Sequence, residues 1–129
     1  MVFFDSNVIL YLAGRDPRKA VVSRDLIRVG GIISIQILNE TANVLRRKFD
    51  FEWAETTEFL VGITAKCHVV PLTLAVHAHG MTYAERYQLA IYDAMIVAAA
   101  VIAGCTTLYS EDMHDGLVID GVTVRNPFA

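Results

Sequence analysis

Short apolar runs that stop at a polar residue alternate along this chain with longer stretches of helical spacing. That alternation constrains the fold more than any other feature. Met1–Phe4 runs into Asp5, Ile32-Ile33-Ser34 follows Gly30-Gly31, Cys67–Val70 stops at Pro71, and Thr106–Tyr109 stops at Ser110. Apolar runs this short, bounded by turn formers, read as buried strands. Between them, Pro17–Val29 carries Val22, Leu26 and Val29 at helical spacing. Ile35–Phe49 places Leu38, Thr41, Ala42, Leu45 and Phe49 on one stripe, and Arg46, Arg47 and Lys48 in its last turn, where cations suit the helix dipole. Phe51–Lys66 and Thr73–Gln88 are expected helices, the second with Gly80 as the point where it could break. Asp93–Ala103 is a nearly all-apolar, alanine-rich helix that belongs inside the protein. Leu117–Ile119 and Val122–Val124 are two last short strands.

Strands joined by helical crossovers predict an α/β fold with a mostly parallel central sheet and helices on both faces. In such sheets ligands bind beyond the carboxyl ends of the strands. Asp5, just after the first strand, and Ser110–Asp112, just after the fourth, are therefore expected on the functional edge.

Composition narrows the classes. The chain has 129 residues, one domain's worth, with no repeat, linker or low-complexity tract, so a single domain over 1–129 is expected. Hydrophobic residues make up 54%, charged residues 19%, and the mean hydropathy is +0.43. These values exclude a disordered chain and a densely charged nucleic-acid coat. The most apolar run, Ala94–Cys105, is about half of the ~20 residues a bilayer crossing needs, so no membrane partner is expected. Asp5 interrupts the apolar start and no basic segment precedes it, unlike a secretory signal. Cys67 and Cys105 lack metal-ligand spacing and read as free thiols of a cytoplasmic protein.

Three acids sit in unusual company. Asp5 follows Val2-Phe3-Phe4, Asp93 is the only charged residue between Arg86 and Glu111, and Asp112 follows a buried strand. Desolvating a carboxylate costs several kcal/mol unless a cation or hydrogen bonds compensate. Each acid also has a local explanation. Asp5 could cap a turn with Ser6 and Asn7, Asp93 could be an N-cap, Glu40 a surface glutamate, and Asp112 a loop residue. The combination is more specific than its parts.

Four stretches occur in order: FFDSNVILYL (Phe3–Leu12), SIQILNETANVLRRK (Ser34–Lys48), YDAMIVAAA (Tyr92–Ala100) and TLYSEDMHDG (Thr107–Gly116). Through them the chain resembles the PIN-domain ribonucleases, most closely the VapC-type toxins of prokaryotic toxin–antitoxin pairs. The resemblance spans essentially the whole chain and implies a PIN-like α/β/α sandwich. Asp5 matches the family's first aspartate, Glu40 its glutamate, Asp93 the aspartate opening the late helix, and Asp112 the last, less regular acid. Ser6 and Asn7 match the polar pair after the first aspartate. Ser110 matches a hydroxyl position that is usually threonine. Glu111 and Asp115 flank Asp112 and make the last assignment ambiguous. Asp112 is preferred, because alternation along an extended segment points it the same way as Ser110 and turns Glu111 away.

The chemistry is intelligible on its own terms. Phosphodiester hydrolysis needs a water nucleophile and stabilisation of phosphoryl charge, both of which Mg²⁺ can supply. Oxygen ligands without cysteine or paired histidine favour Mg²⁺, or Mn²⁺, over zinc. His77 and His79 alternate and cannot share a helix face. The net charge is −3, and without the four acids it becomes +1, so an RNA backbone would meet a nearly neutral surface with one acidic hole. Arg15, Arg18, Lys19, Arg46, Arg47 and Lys48 are candidate phosphate contacts, or simply solvated helix ends. The resemblance further implies cleavage of single-stranded or looped RNA, tRNA being the family-level expectation. It implies a cognate antitoxin, contact with DNA only through that antitoxin, and a homodimer, to which Phe51, Trp53 and Phe59 could contribute if they are not core. Two competing readings are a PIN module that binds RNA or a partner without catalysis, and an aspartyl phosphatase. The phosphatase reading is disfavoured because Asn7 stands where a second acid is needed.

Overall fold

The computed structural model describes every residue, Met1–Ala129. In chain order the elements are β1 (Val2–Phe4), α1 (Ser6–Leu10), α2 (Pro17–Val29), β2 (Ile32–Ser34), α3 (Ile35–Arg47), α4 (Trp53–Lys66), β3 (His68–Val70), α5 (Leu74–Tyr87), α6 (Ile91–Ile102), β4 (Thr107–Tyr109), β5 (Val118–Ile119) and β6 (Val122–Arg125). The strands form one sheet in the order β3-β2-β1-β4-β6-β5, parallel throughout except for the β5–β6 pair. This is the expected α/β/α sandwich with a mostly parallel sheet.

The strand order explains where a site can form. From β1 the chain steps outward to β2 and β3, then returns past β1 to β4. Right-handed crossovers in opposite directions put the intervening helices on opposite faces of the sheet. The reversal falls between β1 and β4, and in sheets of this kind ligands bind beyond the carboxyl ends of the strands at such a point.

Local chemistry sets the element ends. Asp16 caps α2, accepting from the backbone N–H groups of Arg18 and Lys19 at 3.0 and 3.1 Å, and Pro17 takes the first helical position. Gly30 ends that helix with φ +103°, a conformation unfavourable for any residue with a Cβ. Thr73 caps α5 through Val76 N–H at 3.1 Å.

The core is continuous. Phe3, Phe4, Val8, Ile9, Ile33, Ile37, Leu108 and the inner residues of α6, Ala94–Ala100, are buried together. The alanine-rich helix is thus interior, as its composition predicts.

Several boundaries differ from the sequence reading. Ser6–Leu10 forms a short helix that was not expected, since one turn leaves almost no periodicity to read. The late helix begins at Ile91, not Asp93, and its N-cap is Ala90, which gives no side-chain signal. The third helix ends at Arg47, short of Phe49, and the fourth starts at Trp53 rather than Phe51. Gly80 does not interrupt α5. It is a contact point, where an added Cβ would overlap Met95 Sδ of α6, so the glycine lets the two helices approach closely. Phe51 and Phe59 pack edge to face at 6.3 Å and are partly buried, whereas Trp53 is 68% exposed, with the Arg46 guanidinium 4.1 Å from its ring centroid.

Candidate active site

β1 carries Asp5 to the carboxyl edge of the sheet, where it is almost fully buried. Its Oδ1 accepts from Ser6 N–H at 2.6 Å, making it the N-cap of α1, and its Oδ2 accepts from Ser110 Oγ at 2.7 Å. The same carboxylate thus caps α1 and ties it to the end of β4. Burial pushes its pKa up to about 6. The hydrogen bonds from Ser110 and Ser6 restrain that rise, and the charges of Glu40 and Asp93 add to it.

Ser110, at the end of β4, is itself buried. While donating to Asp5, its Oγ accepts from the backbone N–H groups of Asp112 and Met113, both at 3.3 Å. This turn brings Asp112 back toward Asn7, whose Nδ2 donates to Asp112 Oδ2 at 3.2 Å and whose Oδ1 accepts from Glu111 N–H at 3.3 Å. Asp112 lies close enough to Asp93 for its charge, after burial, to help raise the Asp93 pKa. Asp93 stands in the first turn of α6, partly buried, where the helix dipole favours a carboxylate.

Glu40 is oriented by a residue that sequence reasoning missed. Gln36, one helical turn earlier and buried, donates from Nε2 to Glu40 Oε2 at 2.9 Å and to the Tyr92 carbonyl at 3.0 Å. It ties α3 to the start of α6, which a lone i, i+4 amide–acid pair in the sequence only hints at.

The two acids that compete with Asp112 point elsewhere. Glu111 Oε1 accepts from Lys19 Nζ at 2.8 Å and from Tyr11 Oη at 3.0 Å. Burial would raise its pKa, but these hydrogen bonds outweigh it and hold the carboxyl below the usual range. Asp115 accepts from Asn126 N–H at 3.0 Å and so braces the end of β6.

Asp5, Glu40, Asp93 and Asp112 thus gather beyond β1 and β4, and none has a Lys, Arg or His within ion-pair distance. The ion pairs of the chain are Lys19–Glu111 and Arg28–Asp25. The donor set is all hard oxygen, which suits Mg²⁺ or Mn²⁺. No three of these groups close around a common point as a ready-made cage.

Of the six candidate phosphate contacts, three have structural duties. Arg18 donates to the Phe128 carbonyl at 2.9 Å, Lys19 serves Glu111, and Arg46 donates to the Phe51 carbonyl at 2.7 Å while stacking on Trp53. Arg15, Arg47 and Lys48 make no ion pair or side-chain hydrogen bond.

The sequence matches the PIN domain family over residues 2–114, and the chain belongs to that family. Solved structures of similar fold carry the comparison further. A chain of a toxin–antitoxin complex from Klebsiella pneumoniae is 17% identical with a TM-score of 0.74, over 98% of both chains. VapC20 of Mycobacterium tuberculosis, a sarcin–ricin-loop-cleaving toxin, is 18% identical with a TM-score of 0.67, over 87% of this chain and 90% of its own. A chain of VapBC2 from Rickettsia felis, bound to a fragment of its promoter DNA, is 16% identical with a TM-score of 0.70, over 98% of both. No curated protein matches the sequence. No helix of the chain is long and apolar enough to cross a membrane.

Proposed function

We propose that this chain is a metal-dependent endoribonuclease of the VapC type, the toxin of a toxin–antitoxin pair, and that it hydrolyses RNA phosphodiester bonds at Asp5, Glu40, Asp93 and Asp112. The observation that carries this reading is the uncompensated charge of the cluster. Asp5 is buried, and its pKa is pushed up to about 6 by burial and, after that, by Glu40 and Asp93. Near pH 7 it is still largely ionised, so a divalent cation would gain directly from binding there. The similar folds of toxin–antitoxin chains support the toxin assignment.

Mg²⁺ or Mn²⁺ held by the four carboxylates would supply water activation and neutralisation of phosphoryl charge. The chain's own contribution is orientation. Ser6 N–H and Ser110 Oγ fix the two oxygens of Asp5, Gln36 fixes Glu40, and Asn7 fixes Asp112. The products expected are a 3′-hydroxyl and a 5′-phosphate. On this reading residues 1–129 form one PIN domain that works in the cytoplasm as a homodimer, on single-stranded or looped RNA such as tRNA. A cognate antitoxin restrains it and is its only link to DNA.

The test is cleavage of labelled RNA with Mg²⁺ and with excess EDTA. Cleavage should appear with Mg²⁺ and vanish with EDTA. Cleavage at an undiminished rate in EDTA contradicts the metal-dependent reading.

A further inference from the structure

We propose that the polar face of α3 is a track for single-stranded RNA, with one unpaired base against Tyr92 and the neighbouring backbone phosphates on Arg47, Lys48 and Arg15. The proposal rests on the ribonuclease reading above and assigns residues outside the carboxylate cluster.

Three adjoining cavities define the path. The first, of about 400 Å³, is lined by Gln36, Asn39, Glu40, Asn43, Leu72 and Tyr92. The second shares Asn43 with it and adds Arg47 and Lys48. The third shares Lys48 and adds Arg15 and Asp50, the one acid on this stretch. The lining positions of α3 recur every three or four residues, which keeps them on one helix face. From Glu40 to Arg47 that face advances roughly 10 Å, within reach of consecutive phosphates of one strand.

The chemistry changes along the path as an RNA strand requires. At the acidic end Tyr92 precedes Asp93 and is 71% exposed, with no hydrogen bond from its hydroxyl. An exposed aromatic face beside amides is the usual recognition surface for an unstacked base, with stacking supplying affinity and amides reading base edges. Asn39 and Asn43 offer such amides, and neither is engaged in a side-chain hydrogen bond. At the other end lie Arg15, Arg47 and Lys48, three of the cations that the fold leaves unpaired. Single strands are bound by this pairing of a stacking platform with a basic groove. A strand laid this way puts a phosphate at the carboxylates and its neighbours on the cations. A basic peptide would meet repulsion at the second end.

The test is equilibrium binding of a fluorescent eight-nucleotide single-stranded RNA of mixed sequence to the full chain in EDTA, with cleavage of the same RNA assayed in Mg²⁺. Tyr92→Ala should weaken binding about tenfold and Tyr92→Phe less than twofold, since the ring rather than the hydroxyl stacks. Arg47→Gln/Lys48→Gln should weaken binding and reduce the slope of log affinity against log salt by about 1.4, roughly 0.7 for each lost phosphate contact. Arg28→Gln, on α2, removes a charge elsewhere and should change neither by more than about twofold. Circular dichroism confirms that each variant is folded. If the wild type binds and cleaves RNA but Tyr92→Ala binds as tightly, or the double variant keeps its slope, the track is wrong and the ribonuclease reading stands. If the wild type neither binds nor cleaves RNA, both fall.

Discussion

Two carboxylate neighbourhoods lie side by side at the carboxyl edge of this sheet, and they solve the problem of buried charge in opposite ways. Glu111 is compensated. Lys19 and Tyr11 bond its Oε1, Lys19 sits 4.7 Å from the Tyr11 ring centroid and 5.7 Å from that of Phe128, and its pKa is held down. Asp5 is uncompensated. It receives hydrogen bonds but no cation, it faces two further acids, and its pKa rises to about 6. One neighbourhood fastens α1 and α2 to the loop after β4. The other stores repulsion that the fold alone does not relieve. The contrast separates acids with a cationic partner from acids without one, although Glu111 and Asp112 are adjacent in sequence.

The largest expected effect lies in the uncompensated cluster. Asp93→Asn keeps the shape of the side chain and removes one charge. RNA cleavage should fall at least a hundredfold, about 2.7 kcal/mol of transition-state stabilisation. The metal-free variant should melt no lower than metal-free wild type, because a repulsive charge has gone. Wild-type cleavage by this variant would return Asp93 to a merely local role.

Next comes the contrast along one loop. Asp112→Asn should slow cleavage at least tenfold, about 1.4 kcal/mol, while Glu111→Gln and Asp115→Asn stay within a few-fold of wild type. Glu111→Gln should lower the melting temperature, since it weakens the bonds from Lys19 and Tyr11. A damaging Asp115→Asn beside a mild Asp112→Asn would move the fourth acid three residues along the chain.

Protonation offers a smaller and different handle. The folded pKa of Asp5, about 6, lies above its ordinary value of 3.8. The folded state therefore binds this proton more tightly than the unfolded chain. Stability from this group is fully present below pH 4, is lost as pH rises through 6, and is absent above it. Between pH 4 and pH 7.5 the metal-free wild type should lose roughly 2.4 kcal/mol more stability than Asp5→Asn, which has no such proton. Denaturant titrations of both proteins at the two pH values check this. Parallel pH profiles would mean that Asp5 is not under the strain described.

The strand–helix alternation was enough to read the sheet and to place Asp5 and Ser110 at its carboxyl edge, because burial imprints period and composition on every strand. Asp112 and Glu111 do differ in their partners, but not through the alternation expected after β4. The segment after β4 is a turn built on Ser110 Oγ, not an extended strand with alternating side chains. Other features depend on contacts distant in sequence and leave no local mark. Lys19 meets Glu111 and Arg18 meets the Phe128 carbonyl across about a hundred residues, so both resemble free cations when the sequence is read alone. Gly80 resembles a helix breaker until Met95 is seen against it. Gln36 could be linked to Glu40 by spacing, but its bond to the Tyr92 carbonyl could not.

We propose that the uncompensated acids, and not their paired neighbour, bind a divalent cation. Mn²⁺ binding followed by the electron paramagnetic resonance signal of the free ion tests it most directly, on wild type, Asp93→Asn and Glu111→Gln at pH 7.5. Wild type and Glu111→Gln should bind with affinities within about threefold of each other, and Asp93→Asn at least tenfold more weakly, about 1.4 kcal/mol. Equal affinity in wild type and Asp93→Asn, or a loss in Glu111→Gln as large as that in Asp93→Asn, would contradict it.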